Sequence, residues 1–245
     1  MKKLFFLIFL LFTVACSSTA SLDTNTPEGA FKLAEKYEKD ERFEEAIVQY
    51  NNVKNKHPYS KLATESELRI AEIYFKREEY VEAQNAYQVF KELHPSHPRI
   101  DYVTFRLGLS FFNQLPPTID RDLSAADRAI LYFDEVVQSF PQSPYVKESA
   151  DYKIKTLKML AEKEYYIGHF YFIRDYYESA LGRFEELLKV YPGLGFDARA
   201  LYGATVSAHK IKDIAKTKSY FQKLNTQFRG SPEAEKARRE IGNNI

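Results

Sequence analysis

Apolar positions in this chain recur at helical spacing. Ile154, Leu157, Ala161, Tyr165, Gly168 and Phe172 fall three or four residues apart, which keeps them on one helix face. No stretch alternates apolar and polar residues over a useful length, so no strand is predicted. A small residue paired with an aromatic recurs along the chain: Leu33-Ala34 with Tyr37, Ile70-Ala71 with Tyr74, Leu107-Gly108 with Phe111, and Ile167-Gly168 with Tyr171. Each pair is followed by a second amphipathic stretch that opens on an Ala, places an aromatic four residues on, and closes on a Pro eight residues later. Ala46-Tyr50-Pro58, Ala83-Tyr87-Pro95, Ala129-Phe133-Pro141 and Ala180-Phe184-Pro192 all follow this rule. A fifth beat reaches Arg229, with Phe228 where the others have His57, His94, Phe140 and Tyr191, and with Thr217 in place of the Ala. Pro cannot continue the helix before it, so each beat ends a helix.

The alternation of two helices per unit resembles the tetratricopeptide (TPR) repeat of about 34 residues. It predicts an all-α, TPR-like helical solenoid of five helix-turn-helix repeats with a terminal capping helix. The repeats run over about 27–58, 60–95, 98–141, 144–192 and 195–229, with the cap at 231–241, in a single domain over 27–245. A small residue in the first helix lets its partner approach closely, and the aromatics fill the space beside it. Thr26-Pro27-Glu28, Ser143-Pro144 and Ser231-Pro232-Glu233 each set a capping hydroxyl before a Pro suited to the first helical position.

The closing prolines are not evenly spaced. Pro58 to Pro95 is 37 residues, Pro95 to Pro141 is 46 and Pro141 to Pro192 is 51. The nine extra residues of the third unit include Pro116-Pro117-Thr118-Ile119-Asp120-Arg121-Asp122, which predicts a loop. The fourteen extra residues of the fourth unit contain no breaker. At about 3.6 residues per turn they add nearly four turns and keep the apolar stripe on one face. One long helix is therefore predicted from about Tyr145 to Phe172.

The first sixteen residues differ from the rest. Lys2-Lys3 precede an apolar run from Leu4 to Val14, too short to span a bilayer and suited to a secretory signal over residues 1–15. The chain's one Cys, Cys16, follows directly. The arrangement resembles a bacterial lipoprotein signal, in which that Cys is lipidated and becomes the mature N-terminus. Ser17 in the next position favours the outer membrane by the same resemblance. An ordinary secretory signal with an incidental Cys is the alternative. Residues 16–26, rich in Ser and Thr, are expected to serve as a flexible tether.

Composition narrows the function classes. Charged residues make up 28% of the chain, with 35 Lys and Arg against 34 Asp and Glu, so no nucleic-acid partner is indicated. No phosphate loop, G-x-S-x-G or H-E-x-x-H is present. No catalytic residue, cofactor or metal site is expected; His94 and His97 read as turn histidines. Asp120, Arg121 and Asp122 are candidates for loop ion pairs that order the insertion or hold a partner. In the groove of a TPR array, Leu68, Phe75, Tyr102, Phe105, Leu109 and Phe112 would present an apolar, aromatic lining suited to an extended peptide with aromatic side chains. The alternative is that these side chains pack beneath the loop or the long helix as core.

The third unit carries a more specific resemblance. His97-Pro98-Arg99-Ile100-Asp101-Tyr102-Val103, Arg106-Leu107-Gly108-Leu109, Asp120-Arg121-Asp122, Ala129 to Phe133 and Phe140-Pro141-Gln142-Ser143-Pro144-Tyr145 resemble the BamD family, also called ComL or YfiO. The likeness covers the whole chain, from the lipoprotein signal to the long helix with Ala161, Glu162, Tyr165 and Tyr166. It implies a non-enzymatic outer-membrane lipoprotein on the periplasmic face, with palmitate among its lipids. Such a protein docks on the POTRA domains of the BamA barrel subunit, works beside other Bam lipoproteins and receives unfolded β-barrel substrates. It also implies a partner-docking role for Arg183, which otherwise reads as a solvated helix residue. A TPR scaffold lipoprotein of a pilus or envelope-division complex and a cell-wall enzyme are the alternative classes.

Overall fold

The structure, a computed structural model, describes residues 23–242. Among them are eleven α-helices and no strand: α1 (Pro27–Lys39), α2 (Phe43–Lys56), α3 (Lys61–Lys76), α4 (Tyr80–Leu93), α5 (Ile100–Asn113), α6 (Ala125–Ser139), α7 (Val146–Phe172), α8 (Tyr177–Val190), α9 (Asp197–Lys210), α10 (Ile214–Gln227) and α11 (Pro232–Ile241). The fold is all-α and TPR-like. The expected signal over residues 1–15 and Cys16 lie outside the described residues. Two compact units are distinguished, Met1–Ser66 and Glu67–Ile245, the division falling inside α3.

The turns within the helix pairs repeat one backbone device. Glu41, Glu78, Asp175 and Lys212 take φ of 59, 61, 63 and 65°, the left-handed region. Each sits two or three residues past the end of a first helix. The next amide then reaches back five residues: Arg42 N–H to the Tyr37 carbonyl, Glu79 to Tyr74, Tyr176 to Tyr171 and Asp213 to Ala208. This satisfies carbonyls that a helix end would otherwise leave without a partner. The third pair has no such residue, because the insertion occupies its turn. The second helices end alike. His57, His94, Phe140, Tyr191 and Phe228 are their C-caps, with φ between −125 and −131°.

Two of the three sequence caps hold. Thr26 Oγ1 accepts from Gly29 N–H at 3.1 Å and Ser231 Oγ accepts from Ala234 N–H at 3.2 Å, each with a Pro in the first turn. Ser143 differs. Its hydroxyl accepts from Tyr145 N–H at 3.2 Å, and the helix begins only at Val146. The side chain closes a tight turn before the helix rather than capping it. The long helix runs to Phe172 as its spacing predicts.

Aromatic side chains of second helices press on the small residues of first helices. In the first unit Tyr50 is fully buried, packs edge-on against Phe31 at 5.2 Å, and donates its hydroxyl to Glu38 at 2.7 Å. In the second unit a Cβ added to Gly108 would lie 2.9 Å from the Phe133 ring. Phe184 is held between two glycines: an added Cβ on Gly168 would meet it at 2.8 Å and one on Gly203 at 2.3 Å. The core of this unit centres on Tyr87, Phe90, Val103, Leu107 and Phe133 at one end and on Phe184, Leu187, Ala200 and Ala204 at the other. Burying each of the large side chains contributes on the order of 1.5–3 kcal/mol. Thr217, which breaks the small-residue rule in α10, is buried with its hydroxyl donated to the Asp213 carbonyl at 2.7 Å, so its polar atom costs little there.

Candidate peptide and partner surfaces

The six positions expected to line a peptide groove divide. Leu68, Phe105 and Leu109 are core residues, 0, 4 and 6% exposed. Phe75, Tyr102 and Phe112 are half-buried and pack against that core. For Tyr102, Phe105 and Phe112 the physical reason is the N-terminal end of α7. Tyr145 stacks on Phe105 at 5.0 Å and leans on Tyr102 at 5.6 Å. Tyr152 stacks on Phe133 at 5.5 Å and meets Phe112 edge-on at 4.9 Å. The aromatic residues of the third repeat are therefore covered by those of the fourth, and the first three positions line no open groove.

What remains open beside this stack is mixed rather than apolar. The Arg106 guanidinium lies 3.5 Å from the Phe75 ring centroid, and its Nε donates to the Tyr87 hydroxyl at 3.3 Å. Arg99 donates to Glu72 at 2.7 Å and sits over the Tyr102 ring at 4.6 Å. Burial, and then the Glu72 carboxylate, push the Tyr102 hydroxyl above the ordinary phenol range, so it stays a neutral donor. The surface offers cations on aromatic faces with one acid among them. His94, in the following turn, is committed to Glu67 at 2.7 Å.

The Pro116–Asp122 insertion is a loop, ordered by hydrogen bonds rather than by ion pairs. Asp122 accepts from the Ser124 amide at 3.0 Å and from its hydroxyl at 2.7 Å. Asp120 is held below the usual carboxylate range chiefly by a hydrogen bond from Thr118, with Arg121 a lesser cause. Lys163, far along α7, donates to the Arg121 carbonyl at 2.9 Å. Short acidic side chains in a turn reach their own backbone more readily than a neighbouring guanidinium. The Arg121 side chain makes no ion pair among the described residues and is exposed.

Arg183 lies on α8, 45% exposed, with its Nη1 3.2 Å from Glu164 on α7. A shallow pocket beside it is lined by Tyr171, Glu178, Ser179, Gly182 and Glu186. A Cβ added to Gly182 would meet nothing within 4 Å, so this stretch of α8 is bare backbone facing open space. An exposed pair of this kind contributes little to folding. Arg183 can exchange Glu164 for another acceptor at small cost.

The sequence profile of the YfiO outer membrane lipoproteins matches residues 23–201, most of the chain. The chain belongs to the YfiO family. The "Outer membrane protein assembly factor BamD" of Neisseria meningitidis serogroup B is 26% identical over 95% of this chain and 93% of its own. The protein of the same name from Pasteurella multocida is 24% identical over 83% of this chain and 81% of its own. Among solved structures, the TPR2AB domain of yeast Sti1 superposes with a TM-score of 0.43 at 16% identity, covering 88% of this chain and 84% of that one. The YfiO match takes in α1 to α8, including the insertion, the long helix and Arg183, and ends within α9 at Leu201. Helices α10 and α11 of this YfiO member lie beyond it.

Proposed function

We propose that this YfiO-family chain is a non-enzymatic assembly factor for outer-membrane proteins, tethered to the membrane by a lipid on Cys16 and working on the periplasmic side. The observation that carries the reading is near end-to-end similarity to proteins named outer membrane protein assembly factor BamD, together with the YfiO match. The scaffold offers surfaces for contact. The α7–α8 face with Arg183 is the dock for a POTRA-bearing barrel protein of the BamA kind, alongside other Bam lipoproteins. Its exposed cation and bare glycine backbone fit a partner that supplies a carboxylate. The half-buried surface of Phe75, Tyr102 and Arg106 is where an unfolded β-barrel segment with aromatic side chains would rest.

Affinity purification of the tagged full chain from detergent-solubilised membranes tests this directly. A POTRA-containing barrel protein should co-purify, and Arg183→Glu should reduce its yield by about tenfold or more, as reversal of one interfacial charge costs at least about 1.4 kcal/mol. Recovery of the chain without any such protein would overturn the reading.

A further inference from the structure

The turn that closes the first repeat has a composition that the fold does not require. It joins α2 to α3 and lies within the unit Met1–Ser66. The Ser60 amide donates to the His57 carbonyl at 2.9 Å, so His57-Pro58-Tyr59-Ser60 is a β-turn with Pro58 preset at its second position. The same backbone bond closes three later turns: His97 to His94 at 3.0 Å, Ser143 to Phe140 at 2.9 Å and Ser231 to Phe228 at 3.0 Å. The third positions of those turns hold Ser96, Gln142 and Gly230. Of the four, the first alone has an aromatic there, and Tyr59 is 101% exposed. Its ring is held out in water by a turn that closes equally well without it.

Cations flank the ring. Lys54, Lys56 and Lys61 surround the turn, and no acid lies between Glu45 and Glu65. None of the three lysines makes an ion pair among the described residues. At the equivalent place in the second repeat Lys91 is paired with Glu135 at 2.8 Å, and Leu93 and Pro98 stand where Lys56 and Lys61 do. The start of α1 is close by. The short turn Asp40–Arg42 sends α2 back along α1, and Tyr50 packs on Phe31, so the C-terminal end of α2 lies beside the N-terminal end of α1. The chain therefore enters from Cys16 at the same end of the repeat that carries Tyr59. Seven residues separate Cys16 from Asp23, a reach of at most about 25 Å. The acids at this end, Asp23 and Glu28, sit on the entering segment and not on the turn.

We infer that this turn rests on an anionic phospholipid surface, with the Tyr59 ring at the level of the headgroups and Lys54, Lys56 and Lys61 on lipid phosphates. A ring with a polar tip suits the boundary between water and acyl chains. Lysines beside it are drawn to anionic lipids. The inference rests on the reading of Cys16 as lipidated, because the nearly balanced charge of the whole chain does not bring the protein to a membrane by itself. The tether confines the turn near the surface, and the local excess of cations then decides whether it makes contact.

Tyr59→Trp tests it, since the chain contains no Trp and the new indole is the sole reporter. The full lipidated chain is reconstituted on vesicles of phosphatidylcholine alone or mixed equally with phosphatidylglycerol, with acyl chains brominated near the headgroup as quencher. On the mixed vesicles the indole emission should shift to the blue and be quenched. On phosphatidylcholine alone both effects should be much smaller. Adding Lys54→Gln, Lys56→Gln and Lys61→Gln removes about fivefold in local partitioning per lysine. The emission should then return to its value in water, with the circular dichroism unchanged. An indole that stays solvent-like on the mixed vesicles overturns the inference and leaves the turn to a protein partner. Equal quenching on the two vesicles, or quenching that survives the three lysine substitutions, overturns it as well, because the tether alone would then bring the ring to lipid. Sedimentation of the chain with phosphatidylcholine vesicles reports the Cys16 anchor independently of the indole, so failure of the tether reading and failure of this inference are distinguishable.

Discussion

Phe184 and its two glycines show how much a single missing methyl decides. Gly203 and Gly182 are both helical glycines, and Ala is normally better than Gly in a helix interior by roughly 0.5–1 kcal/mol. Their surroundings differ. At Gly182 an added Cβ meets nothing, so Gly182→Ala should raise stability by about 0.5–1 kcal/mol. At Gly203 it would come within 2.3 Å of a ring that is 1% exposed and cannot move aside. Overpacking costs about 1–3 kcal/mol and outweighs the helix gain, so Gly203→Ala should be destabilising. Chemical denaturation of the two variants reads the sign of each, and equal shifts would contradict the packing argument. The sequence marks Gly168 as a small residue at a close approach. It gives no sign that the same ring also needs Gly203, because that contact joins α8 to the following helix.

Among the elements, the turns and the long helix behave differently toward the sequence. The closing aromatic and Pro of each beat mark the C-caps, because Pro's lack of an amide and fixed φ act locally. The left-handed residues Glu41, Glu78, Asp175 and Lys212 have no common residue type, so the device is silent in the sequence although it recurs in four turns. Left-handed backbone costs an L-residue about 1–2 kcal/mol, and a β-branched side chain tolerates it least. Glu78 is exposed, so its backbone can be tested without disturbing a core. Glu78→Val should lower stability, because a β-branched side chain adds to the left-handed cost that Glu78 already bears. Glu78→Gly should be neutral to mildly stabilising, since relief of about 1–2 kcal/mol of left-handed strain is only partly offset by about 0.4–1 kcal/mol of added freedom in the unfolded chain. Thermal unfolding followed by circular dichroism distinguishes the pair, and a tolerated Val would contradict a left-handed backbone at this turn. The extended α7 is the opposite case. Its length is plain from unbroken spacing, but its consequence is not. That Tyr145 and Tyr152 cover Phe105 and Phe112 depends on contacts between repeats, which spacing along one helix does not encode. The charged triplet of the insertion fails for a similar reason. Hydrogen bonds to Thr118 and Ser124 are shorter-range solutions than the ion pairs its composition advertises.

At the scale of the whole molecule, repeat architecture explains why fold was more legible than site. A repeated unit states its helices again in each copy, whereas a binding surface is written once, across helices far apart in sequence. Membrane attachment is the remaining property that belongs to the chain as a whole. No helix among the described residues is long and apolar enough to cross a membrane. The charge is nearly balanced, 35 Lys and Arg against 34 Asp and Glu, so no strong attraction to an anionic surface is expected either. If the protein is held at the outer membrane by its own covalent chemistry, the hold falls on Cys16, where acyl chains contribute about 0.8 kcal/mol per buried CH₂. Cys16→Ser in the full-length chain should then move the protein out of the washed outer-membrane fraction. Purified, it should keep its helical circular dichroism. If Cys16→Ser leaves it in that fraction even after a high-salt wash, attachment runs through partner contacts instead. Adding Arg183→Glu to the same chain would then release it, tying the membrane hold to the α7–α8 face.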